Sequence, residues 1–270
     1  MGIVLNEHHS AEESIRSNSL GRKPSETLYR VARYYIDNAG CPYTKKDIRN
    51  KLDLFVLQCD PSISIPKWEG LLDFITDKAF KREAILIDSI AITEPEMRKI
   101  NNLEGKQLKR LAFTLLCLAK YWNIVNKKND CWVNNKDNEI MAFANINTSV
   151  RRQCGMYAAL REAGLVQFSK KIDNTNVKVC FMEDGDIVLK ITDLRNLGYQ
   201  FLKYCGEPYF ECLNCGITVK ETEPHKGRKQ KYCKECAIEV STKQRVNSIM
   251  RRKSDKNIST GFVDYSDFPQ

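Results

Sequence analysis

Ser149-Val150-Arg151-Arg152-Gln153-Cys154-Gly155-Met156-Tyr157-Ala158-Ala159-Leu160-Arg161-Glu162-Ala163-Gly164-Leu165-Val166-Gln167-Phe168 changes its period part-way along. Val150, Cys154, Tyr157 and Leu160 recur at three- and four-residue intervals, which places them together on the inward face of a helix. Gly164 then supplies the left-handed cap that ends a helix, and Leu165-Val166-Gln167-Phe168 alternates as a strand does.

The flanking sequence extends this plan. Leu108, Leu111, Ala112, Leu115, Leu116, Ala119, Trp122 and Val125 form a long amphipathic helical stripe that stops at the polar run Asn126-Lys127-Lys128-Asn129-Asp130. Cys131-Trp132-Val133 suits a short strand. A second helix from about Asp137 presents Ile140, Met141, Phe143 and Ala144, and the chain turns at Asn145-Ile146-Asn147 to restart at Thr148 or Ser149. Beyond Phe168, Val177-Lys178-Val179-Cys180-Phe181 alternates, and Asp184-Gly185 reads as a hairpin turn into Ile187-Val188-Leu189-Lys190-Ile191.

Helix, short strand, helix, helix, then two or three strands resembles the winged-helix domain, over about residues 106 to 192. Leu160-Arg161-Glu162-Ala163-Gly164-Leu165-Val166 is similar to the usual end of its recognition helix. The resemblance implies that the N-terminal part of this helix enters the major groove of double-stranded DNA. The inward set leaves Ser149, Arg151, Arg152, Gly155 and Met156 facing out. Arg151 and Arg152 would contact guanine edges or phosphates, Ser149 and Gln153 would add hydrogen bonds, and Gly155 would let the helix lie close to its target. Cations in a first turn oppose the helix dipole at about 0.3 kcal/mol or more each, which points to a duty other than stability. Lys170 and Lys171 lead into the wing tip Ile172-Asp173-Asn174-Thr175-Asn176, placed to touch the backbone or simply to solubilise an edge.

A weaker copy of the plan precedes it, over residues 26 to 93. Leu28, Val31, Ala32, Tyr35, Ile36 and Ala39 give a helical stripe that stops at Gly40 and Pro42, and Thr44 with Asp47 is a capping box for a helix carrying Ile48 and Leu52. A third helix begins near Pro66 and buries Trp68, Leu71, Leu72 and Ile75, followed by strand-like Ala84-Ile85-Leu86-Ile87 and Ile90-Ala91-Ile92. Asp193 is expected to cap a further helix through Leu194, Leu197, Phe201 and Leu202 that docks the C-terminal module. The expected class is mainly α with small β-wings (α+β): a flexible arm (1–24), winged-helix-like domains (25–104 and 105–205), a zinc ribbon (206–240), and a basic helix with a disordered tail (241–270).

The ribbon rests on Cys212-Leu213-Asn214-Cys215 and Cys233-Lys234-Glu235-Cys236, 17 residues apart. Two residues between cysteines let one tight turn aim both sulfurs at one metal, and two such turns supply the tetrahedral set of a structural zinc site. Gly216 allows the knuckle turn. Disulfides would need an oxidising compartment, and a redox Cys-x-x-Cys comes singly. One Zn²⁺ with four protein thiolates leaves no open position for substrate, so the site predicts rigidity without catalysis. The other seven cysteines, Cys41, Cys59, Cys117, Cys131, Cys154, Cys180 and Cys205, are expected mostly to be buried small apolar residues.

The net charge of +9 is unevenly spread. From Ile217 to Lys253 there are 11 Lys or Arg against four Glu, an excess of +7. Offsetting the −2 of a zinc tetrathiolate accounts for two or three of these cations. The rest, with Lys226, Arg228, Lys229, Lys231, Arg245, Arg251, Arg252 and Lys253 foremost, form a candidate phosphate-binding surface whose affinity would fall with salt.

No run of 18 apolar residues exists, and the N-terminus lacks a charged-then-apolar signal segment, so the expected location is the reducing cytoplasm, with no membrane partner. The helical domains ahead of Cys-Leu-Asn-Cys-Gly and Lys-Tyr-Cys-Lys-Glu-Cys-Ala, with Asp193-Leu194-Arg195-Asn196-Leu197-Gly198-Tyr199, resemble uncharacterised proteins of phages and mobile elements of Gram-positive bacteria. The function expected is double-stranded DNA binding, as a transcriptional regulator or replication accessory. An adaptor that binds RNA polymerase or another host protein complex is the alternative. A metal-dependent nuclease is disfavoured because only His8, His9 and His225 exist, and no P-loop or nucleophile elbow is present. Glu183-Asp184-Gly185-Asp186 suits a turn better than a cation loop.

Overall fold

Caps and apolar stripes set the helices and short alternating runs set the strands. In chain order they are α1 (Glu7–Ser17), α2 (Pro24–Asp37), α3 (Lys45–Cys59), α4 (Ile65–Ala79), β1 (Ile90–Thr93), α5 (Glu94–Asn101), α6 (Lys106–Asn126), β2 (Trp132–Val133) and α7 (Asp137–Phe143). Then follow α8 (Val150–Glu162), β3 (Val166–Phe168), β4 (Val177–Val179), β5 (Ile187–Ile191), α9 (Leu197–Tyr204), β6 (Tyr209–Glu211), β7 (Thr218–Lys220) and α10 (Lys234–Ser259). The computed structural model describes residues 3–40, 42–169, 176–222 and 229–259, with side chains to Met250. The fold is mixed α and β, mostly helical with small antiparallel sheets. It divides into two compact units, 1–198 and 199–270.

The expected flexible arm is corrected: much of it is α1. The Asn6 side chain accepts from the His9 N–H at 2.9 Å, and Asn18 closes the helix in the left-handed region at φ 46°. Ala11 is fully buried and Ile15 packs beside it, in one core with Leu28, Val31, Leu52, Phe55, Leu72 and Ile75 of α2, α3 and α4. Glu7 is buried, and its carboxylate accepts from Arg82 (2.5 Å) and from the backbone of Ile85 (2.9 Å). A stripe of two apolar residues in a charged segment is too short for periodicity to reveal.

The capping box of α3 forms as expected, with Thr44 and Asp47 bonding reciprocally. The wing expected after α4 does not. Residues 84–87 contribute one isolated bridge, Leu86 to Asn6, and β1 pairs with β5, Ile90 opposite Ile191. Ile90, Ile92 and Ile191 are all buried, so each strand covers apolar surface that neither hides alone. For the same reason Asp184-Gly185 is not a hairpin turn. The segment binds the start of α5 instead: Thr93 Oγ1 donates to the Glu183 carbonyl at 2.9 Å, and the Glu94 N–H donates to the Asp186 carbonyl at 2.8 Å. A side chain at Gly185 would come within 2.8 Å of Pro95.

Residues 106–181 take the expected order. α6 buries Leu111, Leu115, Leu116 and Leu118, and ends at Lys127 in the left-handed region. α8 ends at Gly164, φ 72°, and the strands form one antiparallel sheet in the order β2-β4-β3. The buried carboxylate of Glu96, on α5, accepts from Lys120 Nζ at 2.7 Å and from the Thr93 N–H at 2.9 Å. Asp193 does not cap α9: its carboxylate accepts from the Arg195 N–H at 2.8 Å and pairs with that guanidinium, and the helix begins only at Leu197. Asn196 takes φ 53°, its side chain accepts from Asn145 at 2.9 Å, and an added side chain at Gly198 would meet the Ala144 carbonyl at 1.9 Å. The 193–198 stretch is thus a close-packed anchor against the end of α7.

In the second unit β6 pairs with β7, Phe210 opposite Val219. The helix expected from 241 starts inside the second cysteine pair and runs unbroken as α10, so no boundary falls at 240. Residues 260–270, the expected tail, lie outside the described residues. Among the described residues no helix is long and apolar enough to cross a membrane.

Candidate metal centre and cationic helix faces

The turn between β6 and β7 carries Cys212 and Cys215, and the start of α10 carries Cys233 and Cys236. Gly216, at φ 71°, closes the first knuckle and donates its N–H to the Cys212 carbonyl at 2.9 Å. The Cys212 N–H donates to Ile217 and the Leu213 N–H to Lys231, both at 3.0 Å, which ties the knuckles together. The four Sγ atoms lie within 4.8 Å of one another. Cys215 and Cys233 stand 3.8 Å apart, and ligands 2.3 Å from a tetrahedral centre are separated by about 3.8 Å. Cys212, Cys233 and Cys236 are buried and form one cluster, with Ile217, Val219 and Tyr232 packed partly against it.

Burial pushes the thiols of Cys215 and Cys236 up. At Cys212 burial pushes the same way, but backbone groups of Cys233, Cys215 and Asn214 turned toward the sulfur outweigh it and hold the thiol at about 6. One sulfur is thus disposed to be a thiolate before any ion arrives. Asn214 adds a side-chain donor to Cys236 at 3.3 Å. The four cysteines predicted from spacing are therefore brought together as a possible metal site. Among the described residues no other cluster of His, Cys, Asp and Glu has this form.

The cationic residues divide by location. Arg151 and Arg152 stand exposed on the first turn of α8, with no ion pair among the described residues. Ser149 holds the N-cap position and is exposed, without a side-chain cap bond. Gln153 is half-buried and donates to the Thr148 carbonyl at 3.1 Å, so it is engaged locally. Met156, expected outward, is buried, while Val150 and Cys154, expected inward, are exposed. The correction has a simple geometry. Burial on α8 starts at Met156 and continues at Tyr157 and Leu160, so the first turn projects beyond the packed core.

A cleft of about 430 Å³ runs beside this face, lined in part by Gly105, Lys106, Arg152 and Gly155. Lys106 and Gly105, at the start of α6, were not singled out by the sequence, which carries no local sign that two helix starts come together. Lys229, Lys231 and Arg245 are exposed on the second unit. Arg251, Arg252 and Lys253 lie on α10, and Lys170, Lys171, Lys226 and Arg228 lie outside the described residues. The expectation that the remaining cysteines are mostly buried is also corrected. Only Cys117 is buried, Cys59 and Cys131 are half-buried, and Cys154, Cys180 and Cys205 are exposed; Cys41 lies outside the described residues.

Compared with protein-family models, curated proteins and solved structures, the chain matches none.

Proposed function

We propose that this chain is a double-stranded DNA-binding protein in which α8 reads the duplex and a zinc-clamped C-terminal module adds contacts to the phosphate backbone. The observation that carries the reading is the first turn of α8. Arg33, Arg49, Arg82 and Arg98, earlier in the chain, are each ion-paired. Arg151 and Arg152 are exposed at a helix N-terminus, where the dipole disfavours them and no carboxylate among the described residues compensates. Adjacent cations kept under those conditions suit an external polyanion.

The topology supports the same reading. Helices α6, α7 and α8 with the sheet order β2-β4-β3 follow the winged-helix plan, in which the third helix enters the major groove. The plan is proposed for residues 106–179 alone, because β1, expected in a wing of the first copy, pairs with β5. The ion is proposed to be a single Zn²⁺. A closed set of four thiolates suits it, and with every position filled by protein its part is to fold the module. No catalytic step is proposed. The setting is the cytoplasm, with a role in transcription or replication of the phage or mobile-element type.

Mobility shifts across a salt series test this. Arg151→Ala with Arg152→Ala is expected to weaken binding and to lower the salt slope by up to about 2, since each phosphate contact contributes about 0.9. Binding indifferent to salt and to both substitutions would refute it.

One observation favours a second reading, an adaptor for a protein complex. On α10 every residue from 241 to 250 is exposed, including Val246, Ile249 and Met250. A stoichiometric protein that stays bound through nuclease and high salt would select that reading.

A further inference from the structure

We propose that Val150 is a sequence-specificity residue that recognises the C5-methyl group of a thymine in the major groove. The inference rests on the reading of α8 as the DNA-facing helix and adds to it what that helix recognises.

At 74% exposure Val150 is the most exposed large apolar side chain among the described residues. It sits at the first position of α8, beside Arg151 and Arg152, where the helix end nearest the base edges would lie. The fold gives it nothing to do there. The inward face of α8 starts six residues later at Met156, and a β-branched residue offers a helix no propensity advantage. Water around an isopropyl group is unfavourable, so burying it against a partner is a gain that the isolated chain forgoes.

The partner's chemistry narrows the choice. In the major groove, guanine offers N7 and O6, cytosine its amino group, adenine N7 and its amino group, and thymine O4 and a methyl group. Only that methyl is complementary to an isopropyl side chain. Gly155, with open space around its Cα, leaves α8 free to approach closely. The two arginines then hold the helix against phosphate or guanine, and Val150 distinguishes thymine from the other bases.

The test uses the full-length protein. Duplexes are enriched from a random library, and each thymine of the enriched duplex is replaced in turn by deoxyuridine, which removes the methyl alone. One replacement is expected to weaken wild-type binding about three- to tenfold, the scale of one buried methyl contact. Val150→Ala is expected to bind the original duplex more weakly by a similar factor and to be indifferent to that replacement, with unchanged thermal melting and salt slope. If no deoxyuridine position matters, or if the penalty persists in Val150→Ala, the role of Val150 is refuted while DNA binding stands. If no duplex is enriched, the DNA reading itself fails and the inference with it.

Discussion

The two compact units solve the folding problem by different means. Residues 3–198 bury Phe55, Phe113, Leu116, Phe181 and many aliphatic side chains, and the buried carboxylate of Glu96 is paired with Lys120. Around the knuckles of the second unit, Cys212, Cys233 and Cys236 are the buried cluster among the described residues, with Ile217, Val219 and Tyr232 only partly covered. Burial stabilises by about 25 cal/mol per Å² of apolar surface, so the proposed zinc would matter far more to the second unit than to the first. The contrast is open to test by disturbing each side separately.

The largest effect is expected from removing the proposed zinc. Binding at such sites is worth on the order of 10–16 kcal/mol apparent, so chelation, or Cys233→Ser, is expected to unfold residues 209–236 while the main melting transition of the first unit persists. Limited proteolysis read by mass spectrometry would show it, and protease resistance of metal-free 209–236 would break the contrast. Acid should act in the same direction. The Cys212 thiol is held below its ordinary value, so its contribution is complete at alkaline pH and is lost as pH falls through about 6. Metal affinity, measured by competition with a chelator at descending pH, is expected to fall more steeply below that value.

Next in size is Lys120→Met, which leaves Glu96 buried without its cation. A loss of about 3–5 kcal/mol is expected, seen as a lowered melting temperature with bound metal unchanged. Equal loss of metal would show that the two units fold as one. The smallest is Thr44→Ala, which removes the capping box of α3. It is expected to cost about 1 kcal/mol, shifting the urea midpoint at constant slope.

What could be read from the sequence was local. Thr44 with Asp47, the stop at Gly164, the helical stripe from Leu108 to Val125 and the two cysteine knuckles each lie within one continuous stretch of chain, and each forms as expected. What escaped depended on distant partners. No pattern in Ile90-Ala91-Ile92 names Ile191 as its neighbour over a local hairpin. Ala11 and Ile15 declare a helix only once α2 lies beside them. On α8, periodicity placed Val150 and Cys154 inward, because spacing gives a helix its stripe but not the point along its length where the core begins.

The start of α10 inside the second knuckle links occupancy of the thiolates to the winding of that helix. A helix is hardest to begin, since its first turn fixes several dihedrals for one bond. An ion gripping Cys233 and Cys236 would hold that turn already wound, and the 26 residues of α10 extend from it as a rod about 39 Å long. Loss of the ion would then unwind the start of the longest helix among the described residues as well as a small folded knot.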